Sequence, residues 1–257
     1  MKEENTNGKV YFIGAGPGDP ELLTIKATRI LSEADVILHD RLVSPKILEH
    51  ASSASSIILT GKQKGGNSIS QKEINELILK FALQGKTVVR LKGGDVSFFS
   101  NILDELETVS NSNIPFEIVP GITAASGAAA YTGIPLTARG YADAVRFLTL
   151  NDLTAVSEFT FRKNETLVLY MSSSNWSEVI CKLIHFGIDT TLPIAFISQA
   201  TTPNQQQFFS TISAVQKDFE NNTFISPTII IIGRVVELGE KFEWFKKKEK
   251  GVYFTAL

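Results

Sequence analysis

Val10-Tyr-Phe-Ile-Gly-Ala-Gly-Pro-Gly-Asp-Pro-Glu-Leu-Leu-Thr24 passes from four apolar residues into a glycine-rich turn, then into Asp19-Pro20-Glu21. The first four residues read as a strand. The last three read as an N-cap, a first-turn proline and a first-turn acid that open a helix running to about Glu33. A strand, a tight turn and a helix in succession make the opening half of a βαβ unit. Further along, Ala34 to Leu38, Ile57 to Leu59, Thr87 to Leu91 and Phe116 to Val119 are short apolar runs that read as strands. Helical stretches separate several of them. Ser70 with Glu73 forms a capping box for a helix that Gly85 closes, and Asn101 to Val109 is helical. This alternation predicts a parallel sheet with helices on its faces.

The second half changes character. Thr123 to Tyr131 is small and alanine-rich, and strands are expected at Val145 to Thr149, Thr166 to Met171, Pro193 to Ser198 and Thr228 to Ile232. A helix is expected over Trp176 to Phe186, before Gly187. Two α/β domains follow from this reading, 1–117 and 118–245, with a lysine-rich, solvated tail over 246–257. A chain of 257 residues, 43% hydrophobic and 20% charged, can bury two cores.

The net charge of -2 supplies no global attraction for nucleic acid or an acidic membrane, so an anionic ligand needs a local basic cluster. Met1 to Lys9 is polar, unlike a signal peptide, and the longest apolar run, Thr228 to Ile232, is too short to cross a bilayer. A cytoplasmic protein is expected. Its single cysteine, Cys181, is flanked by apolar residues and reads as a buried small hydrophobe. The three histidines fall in no metal-ligand spacing, so no metal is expected.

The chemistry collects after the strands of the first half. Gly14-Ala-Gly-Pro-Gly-Asp19, His39-Asp40-Arg41, Thr60-Gly-Lys62, Lys92-Gly-Gly-Asp95 and Pro120-Gly-Ile-Thr-Ala124 each follow a strand. In an open parallel sheet these ends lie along one edge, where such folds bind ligands. Gly14 and Gly16 invite a dinucleotide reading, but Asp19 stands where the fingerprint needs a third glycine. A carboxylate there would repel a pyrophosphate, and a cofactor without phosphates meets no such objection. Paired Gly93 and Gly94 let backbone approach a bulky ligand, and Asp95 can bond an amino or hydroxyl donor. Arg41, Lys62, Lys64, Lys92 and Arg139 are either the anchors of a polycarboxylate or a solvated rim.

From about Lys9 to Leu238 the chain resembles the uroporphyrinogen-III C-methyltransferases of the tetrapyrrole methylase superfamily. The resemblance rests on the opening stretch above together with Ala34-Asp-Val-Ile-Leu-His-Asp-Arg-Leu-Val-Ser44, Gly61-Lys62, Val89-Arg-Leu-Lys-Gly-Gly-Asp95, Val119-Pro-Gly-Ile-Thr-Ala124 and Gly133-Ile-Pro-Leu-Thr-Ala-Arg-Gly140. It implies a parallel N-terminal sheet, a mixed C-terminal sheet, an active site in the cleft between them, and a homodimer. It also implies methylation of uroporphyrinogen III at C2 and C7, giving precorrin-2 and two molecules of S-adenosyl-L-homocysteine from S-adenosyl-L-methionine. By position, Pro17, Gly93, Gly94, Asp95, Phe98, Thr123, Ala124, Met171 and Ala200 match cofactor-contacting places. Asp40 matches a proton acceptor and Lys62 a proton donor, with Arg41, Lys64 and Arg139 near the substrate. Rearrangement after methylation must move protons, which gives an acid–base pair its task. Asp40 has a plainer reading too, as an ion pair with Arg41 or a cap.

The chain departs from the family after Asp95. Relatives usually continue into Gly-Arg-Gly, whereas this chain reads Val96-Ser-Phe-Phe-Ser-Asn101, a less flexible and less basic loop. Ala138 stands where many relatives have histidine, and Ala200 where glycine is common. The alternatives are a methylase for a later corrin precursor or another substrate, or a cofactor-binding relative without turnover.

Overall fold

The computed structural model describes residues 7–61, 69–150, 159–220 and 224–246. These residues divide into two compact units that part between Thr123 and Ala124. The sequence reading drew its boundary at 117, inside the fifth strand. That strand stays with the first unit because it pairs along its length with the first strand.

In the first unit the chain forms Val10–Gly14 (β1), Ile25–Glu33 (α1), Val36–His39 (β2), Pro45–Leu48 (α2) and Ser56–Leu59 (β3). Gln71–Ala82 (α3), Val88–Lys92 (β4), Leu103–Asn111 (α4) and Phe116–Val119 (β5) complete it. All pairings are parallel, in the order β3-β2-β4-β1-β5. Strands β1 and β4 lie side by side while their connections leave in opposite directions, which makes the gap above them the switch point of the sheet. Ile30, Leu31 and Ile47 of α1 and α2 pack on Ile13, Ile37, Val89 and Leu91. On the other face Ile74, Ile78 and Val109 of α3 and α4 pack on Phe12, Leu38 and Val88. A sheet covered on both faces explains why β2 and β4 are buried at every residue.

The expected single helix from Asp19 to Glu33 is two elements. Asp19 caps a short 3-10 turn, accepting from the Glu21 amide at 3.0 Å, and Thr24 caps α1, accepting from the Ala27 amide at 3.2 Å. Two caps five residues apart cannot serve one helix. The Ser70–Glu73 capping box of α3 is present.

The second unit comprises Ala124–Thr132 (α5), Ala144–Thr149 (β6), Glu165–Tyr170 (β7), Trp176–His185 (α6) and Pro193–Ser198 (β8). Gln206–Thr211 (β9), Val215–Asp218 (α7), Thr228–Ile232 (β10) and Leu238–Lys241 (α8) follow. Its sheet has the order β6-β7-β10-β8-β9 and is mixed, with β6 parallel to β7 and the remaining pairs antiparallel. Strands β7 and β8 both run antiparallel to β10, so their C-terminal ends share an edge. Helix α6 packs Val179, Ile180 and Leu183 inward. Cys181 falls on the outer face of the same helix and is exposed, contrary to the reading of a buried thiol. No helix among the described residues is long and apolar enough to cross a membrane.

Candidate active site

The loops that end β1, β4 and β5 are knitted together by backbone. Gly16 and Gly94 exchange two hydrogen bonds at 3.0 and 2.8 Å, and the Ala15 amide donates to the Lys92 carbonyl at 2.8 Å. A Cβ on Gly121 would lie 2.5 Å from the Gly94 carbonyl oxygen and 2.7 Å from that of Gly14. The glycines are therefore required by contact between three strand ends. Gly93 meets the Leu42 side chain in the same way, with 3.0 Å left for a Cβ.

Asp95 staples this assembly. It is 7% exposed, and its two oxygens accept from the amides of Ser97 at 2.7 Å and Gly121 at 2.8 Å. The sequence reading gave this carboxylate to a ligand donor; in the structure its bonds go to the protein's own backbone. Pro17 is buried in the first loop, and Thr123 follows the third. Phe98 stands exposed beyond Asp95. In the departing loop Ser100 donates to the Val96 carbonyl, and Phe99 and Asn101 take left-handed backbone, φ 51° and 53°.

In the second unit Met171, Ala200 and Ala124 belong to segments tied to one another. The Tyr170 hydroxyl accepts from the Ala125 amide at the start of α5, 3.1 Å away. Gln205, 3% exposed, accepts from the Thr201 amide at 2.8 Å and donates to the Tyr131 carbonyl at 3.2 Å. Met171, Gln199 and Thr201 all have left-handed backbone, at φ 55°, 48° and 68°. Such strain persists only where the surroundings hold it, and it concentrates at binding loops.

Asp40 ends β2, its amide bonded to the Leu91 carbonyl at 3.1 Å. Its ion-pair partner is Arg90 from β4, Nη2 to Oδ1 2.5 Å; Thr60 Oγ1 lies 3.4 Å from the same oxygen, but its single proton has a nearer acceptor in the His39 carbonyl at 3.0 Å. Among the described residues the ion pair of this carboxylate ends on Oδ1. Behind Arg90 lies Glu105 of α4, wholly buried, which accepts from Arg90 Nε at 2.9 Å and Lys92 Nζ at 3.2 Å. Burial presses against the Arg90 charge, but Asp40 and Glu105 outweigh it and raise the guanidinium pKa. Burial, helped by Arg90, lowers that of Lys92. Burial likewise lowers the pKa of His39, so its ring favours the neutral form.

Lys92 was read as part of a basic rim; it is 3% exposed and paired with Glu105, so it is not available to a ligand. Arg41 is half-buried in the turn after β2, and Arg139 is exposed in a turn of the second unit. Lys62 and Lys64 lie outside the described residues. Arg90 and Glu105 were not picked out from sequence. The available signal was an arginine inside the apolar run Val88-Val-Arg-Leu, which demands a buried partner. No group of three or more possible metal ligands occurs among the described residues.

A family model for tetrapyrrole (corrin/porphyrin) methylases matches residues 9–216. The chain belongs to this family. A siroheme synthase from Nitrosomonas europaea is 45% identical over 242 residues, which is 93% of this chain and 51% of that protein. The chain thus spans about half the length of the curated relatives it matches. Uroporphyrin-III-C-methyltransferase from Thermus thermophilus superposes with a TM-score of 0.78 at 30% identity, covering 93% of this chain and 98% of that one. A form of that enzyme complexed with S-adenyl homocysteine gives a TM-score of 0.75 at 34% identity, over 90% of this chain and all of that one. A cobalt precorrin-4 methyltransferase gives 0.79 at 27% identity, over 89% and 95%. Both sheets of this methylase match the fold expected from its sequence.

Proposed function

We propose that this methylase transfers two methyl groups from S-adenosyl-L-methionine to C2 and C7 of uroporphyrinogen III, giving precorrin-2 for sirohaem or cobalamin synthesis. The carrying observation is the likeness, over 98% of its length, to a Thermus thermophilus enzyme described as a uroporphyrin-III-C-methyltransferase. The loop chemistry supports the cofactor. The Glu21 amide in the 3-10 turn after the glycine loop is capped by the Asp19 carboxylate, whose charge there opposes a pyrophosphate and not a phosphate-free cofactor. In this reading Pro17, Gly93, Gly94, Phe98 and Thr123 contact the cofactor from the first unit, and Ala124, Met171 and Ala200 from the second. Asp95 acts there by holding the glycine loops in register.

When bound, the cofactor supplies an electrophilic sulfonium methyl to an electron-rich pyrrole carbon. Asp40 then takes a proton on Oδ2, since Arg90 holds its other oxygen. Lys62 returns a proton, and Arg41, Lys64 and Arg139 hold substrate carboxylates. We place the protein in the cytoplasm as a homodimer. The second reading is a methylase for a later corrin precursor, favoured by the altered loop at 96–101 and by a TM-score to the precorrin-4 enzyme, 0.79, comparable with the 0.78 of the uroporphyrin-III enzyme, though at lower identity. Anaerobic incubation with uroporphyrinogen III and the cofactor, with added methyl groups counted by mass spectrometry, tests the proposal.

A further inference from the structure

Two buried charges of the first unit, Lys92 and Glu105, are left unused by the mechanism above, and a third, Arg90, enters it only as the anchor of Asp40. Arg90 is 2% exposed, Lys92 3% and Glu105 wholly buried. With Asp40 they make two cations and two anions, a neutral set whose only solvent-facing member is Asp40, 31% exposed at its side chain. Burying so many charges costs several kcal/mol per ion before pairing, and apolar residues of similar volume would serve stability as well. Stability alone therefore does not account for the arrangement.

The bonds of Arg90 leave it little freedom. Nε donates to Glu105 at 2.9 Å, Nη1 faces the carbonyls of Leu38 and Leu91 at 3.3 Å each, and Nη2 donates to Asp40. Glu105 is itself fixed by Lys92 and by Gln71 Nε2 of α3 at 3.3 Å. The carboxylate on α4 sets the plane of the guanidinium, and that plane decides which oxygen of Asp40 is engaged. We propose that Glu105 is a positioning residue, acting through Arg90 to hold Asp40 with Oδ2 free toward the substrate.

This rests on Asp40 being the proton acceptor, and the test separates the two claims. Turnover of uroporphyrinogen III is measured for the wild type, D40N, E105Q and the double variant D40N/E105Q. Affinity for S-adenosylhomocysteine is measured by calorimetry alongside. E105Q keeps the shape of the side chain, and Lys92, whose charge burial already opposes, can shed its proton to restore neutrality. The expected result is a roughly 10- to 100-fold fall in kcat for E105Q, as for a displaced catalytic group. Affinity for S-adenosylhomocysteine should be unchanged, and D40N/E105Q should be no slower than D40N. A purely structural role would make the two losses multiply. If D40N is impaired but E105Q turns over normally, or the losses multiply, Glu105 does not act through Asp40 and the inference fails alone. If D40N itself turns over normally, the acceptor assignment fails and takes the inference with it. Should E105Q not fold, the pair K92M/E105L removes one cation and one anion together. The same fall in kcat and the same absence of effect in the D40N background are expected, and normal turnover would overturn the proposal.

Discussion

Arg90 and Asp40 form an ion pair across β2 and β4 in which the cation is 3% exposed and the carboxylate 31%. The buried partner is thus the one that cannot lose its charge, and the partner able to exchange a proton faces solvent. R90M leaves Glu105 with Lys92 and Gln71 and takes from Asp40 its ion-pair partner. Removing one member of a buried pair costs about 3–5 kcal/mol, and a loss of that size is expected in urea unfolding at pH 7. A loss below about 1 kcal/mol would mean the pair is screened like a surface one.

The three glycine loops predict a steep contrast between two alanine substitutions. G121A drives a methyl into backbone on two sides, 2.5 and 2.7 Å away, and neither side can swing aside. G140A meets nothing within 4 Å, and its cost is the left-handed backbone at φ 83°, about 1–2 kcal/mol. The first variant should lose about 3 kcal/mol or more and weaken S-adenosylhomocysteine binding. The second should bind normally. Equal effects in thermal unfolding and calorimetry would refute the close packing of the loops.

Gln205 supports the left-handed backbone at Thr201, the residue after Ala200. Q205L removes the bonds to the Thr201 amide and the Tyr131 carbonyl, each worth about 1–3 kcal/mol when its buried partner is left unmade. Affinity for S-adenosylhomocysteine should fall about tenfold by calorimetry. Unaltered affinity would separate this loop from the cofactor.

Glu117 on β5 is held by Lys26, and by Lys9 at 2.7 Å, which lower its pKa to about 2. A carboxylate depressed from 4.5 in the folded state contributes stability above pH 4.5 and loses it as pH falls toward 2. E117Q should be less stable than the wild type at pH 7, and the two should converge near pH 2. A constant difference in melting temperature across that range would show that the lysines do not act on the carboxylate.

The first sheet was legible because each strand is an apolar run bounded by glycine, proline or a capping residue, and the capping box of α3 reads from Ser70 and Glu73 alone. Strand β9 was missed: Gln206-Gln-Phe-Phe-Ser-Thr211 carries polar residues at both ends and lies at a sheet edge, so no apolar run marks it. The break between the 3-10 turn and α1 was hidden because Asp19 and Thr24 are both good caps. Cys181 misled because Val179, Ile180 and Leu183 around it are apolar, while helical spacing turns it outward. Of the five loops that the sequence places on one edge, the structure ties those after β1, β4 and β5 to one another. What joins Asp40 to Glu105 is a contact across two strands and a helix, 65 positions apart by number, and no local pattern encodes it.

The central claim is tested most directly by incubating the purified protein anaerobically with uroporphyrinogen III and S-adenosylmethionine and weighing the tetrapyrrole. The account predicts a product carrying two added methyl groups, with two molecules of S-adenosylhomocysteine released for each. An unmethylated tetrapyrrole from protein that binds S-adenosylhomocysteine, or methylation only of a later corrin precursor, would contradict it.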